Sequence, residues 1–143
     1  MIIKLVKISN IISRVNNKNS LFSRKPEPIS ILKSAISDIV GDNVVYISEF
    51  VIAKIKGKIK ELNGHLEITD KIIGTIPCLL NKPKEILRDT RSNKKYIFII
   101  SNPSIEIVIE IRRVESGKTE INTLHKININ ELKRLERKFP VVL

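Results

Sequence analysis

Histidine occurs twice in the 143-residue chain, as His65 and His125. Imidazole is the side chain whose ordinary pKa lets it give or take a proton near neutral pH. Two imidazoles, a hydroxyl and fixed cations are enough to cleave a ribose phosphodiester. One group removes the 2′-OH proton and the other protonates the departing 5′-oxygen. Cations then stabilise the extra negative charge of the phosphorane-like transition state. The candidate cations are Lys54, Lys58, Arg88 and Arg91.

Other chemistries lack their residues. There is no H-E-x-x-H, no clustered His and Cys, and no closely spaced acidic set, so no metal or cofactor is expected. The five glycines form no phosphate-binding loop. Cys78 lies in the apolar run Ile76-Pro77-Cys78-Leu79-Leu80 and is expected to be a buried structural thiol. As the only cysteine it cannot close an internal disulfide, which points to a reducing cytoplasm.

The chain carries a net charge of +11, with a pI near 9.9. Residues 81–143 hold +6 of that excess, residues 1–43 hold +4 and residues 44–80 hold +1. Such an excess suits a polyanionic partner: RNA, DNA or an anionic membrane surface. Four Phe, two Tyr and no Trp argue against a platform that stacks bases, though not against one that grips phosphates. The N-terminus alternates apolar and basic residues, unlike a signal peptide, and no long apolar stretch occurs, so no membrane association is expected.

These residues must be positioned by an α+β fold. Residues 1–28 read as an N-terminal arm, ending at the breaker Arg24-Lys25-Pro26-Glu27-Pro28. Its apolar residues fit either a helical stripe or a short strand from Ile2 to Ile8. Ser30 reads as the cap of a helix over Ile31–Val40 stopped by Gly41, and Ser48 as the cap of another over Glu49–Leu62, ended by Asn63-Gly64. A third helix begins near Glu67, and Pro77 is expected to start a new turn. After Pro83 the apolar period changes from 3.6 to 2, predicting strands over 85–89, 95–101, 105–112 and 119–126. Ile121, Thr123 and His125 would share one face of the last strand. A short helix over Glu131–Lys138 closes the chain. The expected architecture is therefore helices on one face of a four-stranded antiparallel sheet, with the other face open and polar.

The central segment, about residues 44–128, resembles the phage- and mobile-element-associated branch of the barnase–EndoU–colicin–RelE-like (BECR) nucleases. The resemblance rests on Val44-Val45-Tyr46-Ile47-Ser48 leading into a helix with Lys54-Ile55, then Gly64-His65. It continues through the passage from Ile73 to Ile86, with Ile76, Pro77 and Pro83, and the strands that end with Thr123. It implies helices packed on a four-stranded antiparallel sheet over residues 29–143 and, in many members, metal-independent ribonuclease activity of toxin type. It also implies roles for His65, for Arg88 near the first strand and for Thr123 in the last. The expected partners are RNA, transfer RNA included, and an acidic antitoxin or immunity protein. The other function class that fits is a non-catalytic domain on the same scaffold that binds nucleic acid or a protein partner.

Overall fold

The computed structural model describes residues 3–65, 67–92, 94–102, 105–114 and 116–143. Its elements run α1 (Ile8–Asn16), β1 (Glu27–Ile31), α2 (Ser34–Val40), β2 (Val44–Ile47), α3 (Glu49–Ile55), α4 (Asp70–Leu79), β3 (Glu85–Arg88), β4 (Lys95–Asn102), β5 (Ile105–Arg113), β6 (Thr119–Lys126) and α5 (Ile129–Lys138). The class is α+β as expected, but the sheet has six strands, in the order β1-β2-β6-β5-β4-β3. The antiparallel meander β3–β6 is the predicted four-stranded part. Two strands extend it: β2 runs parallel to β6, and β1 pairs antiparallel with β2.

One extra strand, β1, comes from the segment read as arm and helix start, and the other, β2, is the short apolar run Val44–Ile47. Glu27 to Ile31 pairs with β2 instead of breaking the chain. Pro28 is tolerated because β1 is an edge strand, where a missing N–H is cheap. Ser30 is accordingly not a helix cap; its buried hydroxyl donates to the Pro77 carbonyl. Helix α2 starts at Ser34 and stops at Gly41, whose φ of 84° suits only a residue without a Cβ penalty.

Two other boundaries differ from expectation. Ser48 does cap α3 by accepting the Val51 N–H, but the helix ends at Ile55, followed by Gly57 at φ 75°. Pro77 lies inside α4, which Thr69 caps by accepting the Ile72 N–H. The buried stripe near that end is Ile73, Ile76 and Leu80; Cys78 lies off it and is exposed, not buried.

Helices α1–α4 pack on one face of the sheet and share a single core. Ile8, Ile11, Ile12 and Val15 of α1 are buried there with Ile36, Ile52, Ile73, Phe98 and Leu124. The N-terminal segment thus folds onto the domain. The opposite face is not open: α5 covers part of it, burying Leu132 and Phe139 against Leu87, Ile97, Ile99, Val108 and Ile127. The C-terminal residues then return along the sheet edge, with Val141 bridging Leu87. Among the described residues, no helix is long and apolar enough to cross a membrane.

Candidate active site

A β-bulge decides which side chains of β6 reach the α5 face. Thr123 pairs with Glu110 and Ile121 with Ile111, so Asn122 is the extra residue. One added residue reverses the pleat. Ile121 and Leu124 therefore both enter the large core, while Thr123 and His125 turn to the other face beside Glu110 and Val108. The predicted grouping of Ile121 with Thr123 and His125 is corrected by this single residue. The freed Asn122 carbonyl accepts a hydrogen bond from Lys54 Nζ at 2.7 Å, which ties α3 to the bulge.

His65 arrives from the loop after α3. Its N–H donates to the Ile55 carbonyl (2.7 Å), and its own carbonyl accepts the Ile68 N–H (2.8 Å), so its backbone is held on both sides. The imidazole stands against His125, with ring centroids 5.4 Å apart and planes tilted by 31°. A Cβ at Gly64 would overlap the Gly57 backbone, so the loop closes only with glycine at that position. Gly64→Ala is expected to displace His65. A misplacement of about 1 Å is enough to cost roughly 10²-fold in rate, which kcat/KM on an RNA substrate would reveal.

His125 is half-buried at one end of a cleft of about 270 Å³ between α5 and the sheet. The polar lining is Glu110, His125, Arg91, Glu131, Arg134 and Lys138, over Ile97, Val108, Ile127, Leu135 and Phe139. Burial lowers the His125 pKa below the ordinary imidazole value; Glu110 opposes that shift and the neighbouring His65 adds to it. Lys54 is likewise lowered, first by burial, with Glu110 opposing. Glu110 thus acts electrostatically on both. It also accepts an ion pair from Lys95 at 3.0 Å.

The same Lys95 reaches Asp89 at 3.5 Å, and Asp89 is 1% exposed. Asp89 accepts both Nε and Nη2 of Arg91 at 3.1 Å each. A line of charges, Glu110–Lys95–Asp89–Arg91, therefore crosses the strands and fixes the Arg91 guanidinium at the cleft, 5.0 Å above the Phe139 ring.

The structure gathers His65, His125, Thr123 and Lys54 around the bulge, puts Arg91 further along the same cleft, and leaves two predicted residues outside it. Arg88 pairs with Tyr96, which faces the large core, so it lies on the opposite face of the sheet. It is also three strands from β6, about 14 Å at ordinary strand spacing. Lys58 Nζ donates to the carbonyls of Val15 (2.7 Å) and Asn16 (3.4 Å), capping the C-terminus of α1, where a cation suits the helix dipole. Glu110, Lys95, Arg134 and Lys138 were not singled out from the sequence. The last two share the cleft face of α5 with Glu131 and Leu135, a spacing of three, four and seven that a helical period does contain.

Among the described residues, no group of three His, Cys, Asp or Glu side chains is placed to hold a metal ion. Comparison with family models, with curated proteins and with solved structures gives no match.

Proposed function

We propose that the protein is a metal-independent endoribonuclease of the toxin type found among the BECR nucleases. The observation that supports this reading most is the convergence of the two imidazoles, 5.4 Å apart, from a loop and a strand distant in sequence. A buried core histidine needs no second histidine beside it, and two like-charged rings at this spacing repel when both are protonated. A site that works with one neutral and one protonated ring makes use of that repulsion.

The mechanism follows from the environments. Burial keeps His125 neutral at neutral pH, so it is assigned as the base that removes the ribose 2′-OH proton. The 2′-oxygen attacks phosphorus, the bond to the 5′-oxygen breaks, and His65 delivers a proton to that oxygen. The products are a 2′,3′-cyclic phosphate and a free 5′-hydroxyl. The Thr123 hydroxyl, on the His125 face, hydrogen-bonds a phosphate oxygen. Lys54, held at the bulge, supplies the cationic charge that stabilises the transition state, and Arg91, further along the cleft, holds substrate phosphate. RNA, transfer RNA included, is the substrate class. The assigned compartment is the cytoplasm, and the expected neutralising partner is an acidic protein, complementary to a surface of net charge +11.

The test is incubation of the purified chain with a defined RNA in EDTA, beside the same strand carrying 2′-deoxyribose. Cleavage of RNA alone, leaving cyclic phosphate ends, is the expected result. Intact RNA, or equal cutting of both strands, contradicts the reading and favours a non-catalytic binding domain.

A further inference from the structure

The cleft does not end at the imidazoles. It continues along α5 to Arg91, Arg134 and Lys138. We infer that these three cations form a second phosphate-binding subsite, which holds the RNA backbone one or more nucleotides away from the phosphate that is cut. The inference rests on the ribonuclease reading for its ligand and on separate residues for its site.

Three observations carry it. First, Arg91 is oriented before any ligand arrives. Asp89 takes two of its N–H groups, yet 59% of the side chain stays exposed at the cleft. Second, Lys138 is brought to the same ring as Arg91, lying 5.4 Å from the Phe139 centroid. Gathering cations in this way costs repulsion that a bound anion would relieve. Among the described residues, neither Arg134 nor Lys138 is held in an ion pair. Third, the acidic residues of the cleft are spoken for or lie elsewhere. Asp89 is neutralised by Arg91 and Lys95. Glu110 and Glu131 both act on His125, at the imidazole end. Lys138 is seven residues beyond Glu131, about 10 Å further along the helix. Glu110 is offset by Lys95, and the unpaired positive charge of the cleft concentrates towards Lys138, where a further phosphate of an extended polyanion would be held.

The experiment uses the full chain with Arg134→Gln and Lys138→Gln combined. Both side chains are exposed, so the double variant should fold, as circular dichroism would verify. Two readouts are taken. One is the salt dependence of binding to an uncleavable 2′-O-methyl hexanucleotide. The other is the preference in kcat/KM for an RNA hexanucleotide over a dinucleotide, which has only one phosphodiester. The log–log salt slope should fall by about 0.7 for each cation removed. The hexanucleotide preference should fall by roughly tenfold or more, as charge-assisted contacts are lost. A wild-type slope together with a wild-type preference overturns the subsite. If the unaltered protein cuts neither substrate, the ribonuclease reading fails, and the slope alone decides: a reduced slope upholds the anion site and an unchanged one overturns it.

Discussion

His125→Ala and His65→Ala are each expected to lower RNA cleavage by about 10²–10⁴-fold, the ordinary worth of a positioned acid or base. Affinity for an uncleavable 2′-O-methyl oligonucleotide should stay within about twofold, because phosphate contacts come mainly from cations. The double variant should be little worse than the poorer single one, since groups that act as a unit are not additive. The pH profile gives a sharper check. With His125 as base, the acidic limb of kcat/KM reports its free-enzyme pKa, and burial places that limb below the ordinary histidine value. Glu110 raises the pKa of His125, so Glu110→Gln removes that support and should move the limb to still lower pH. A limb that moves up, or not at all, contradicts the assigned role of Glu110. Single variants that retain most of the cleavage would remove the histidines from the mechanism.

The second large effect concerns stability and lies on the other side of the molecule. Glu49 is 3% exposed at the start of α3. It accepts hydrogen bonds from Arg14 (2.9 Å), Lys18 (2.6 Å) and the Ser23 N–H (3.1 Å), and Arg14 also pairs with Glu27 of β1. One carboxylate therefore joins α1, α3, the intervening loop and, through Arg14, the edge strand. Glu49→Ala should cost about 1–3 kcal/mol, because it leaves the Ser23 N–H and two part-exposed cations without their carboxylate, although Arg14 keeps Glu27. That is a large part of the roughly 5–15 kcal/mol that holds a domain of ordinary stability. Urea unfolding monitored by circular dichroism would measure it, and a loss under about 1 kcal/mol would show that the network is not what fastens α1. Burial alone would raise the Glu49 pKa, but the bonds from Lys18, Ser23 and Arg14 outweigh it and hold the pKa at about 2. A depressed carboxylate pKa contributes stability that is complete above the unfolded value, 4.5, and is lost as pH falls towards 2. The unaltered protein should therefore lose stability across that window more steeply than Glu49→Gln does.

Much of the fold is written in the apolar periods. The two-residue alternation after Pro83 leads directly to strands β3–β6. Misreadings cluster where a local rule was overruled by position in the sheet. Pro26 and Pro28 look like a break, but Pro26 precedes β1 and the edge strand tolerates Pro28. Cys78 sits in an apolar run, yet the buried stripe of α4 is set by the helical period, and Cys78 lies off it. The site itself was half legible. His65 and His125 were recognisable by type, but their meeting depends on the loop closure at Gly57 and Gly64 and on a one-residue bulge at Asn122. Neither has a strong local signature. Glu110 carries no cue of its own in the sequence, because its partners Lys95 and Lys54 come from a neighbouring strand and a distant helix. Arg88 was placed by its nearness to a strand start, a cue that does not say which face of the sheet it takes.

The most direct measurement follows the two imidazoles themselves. With only two histidines in the chain, their NMR signals can be assigned by single substitution and titrated with pH, with and without the uncleavable 2′-O-methyl oligonucleotide. If both rings flank one phosphate, its negative charge stabilises both imidazolium forms, and both pKa values rise when the oligonucleotide is bound. A rise confined to one ring, or absent from both, would mean that the pair does not share a phosphate.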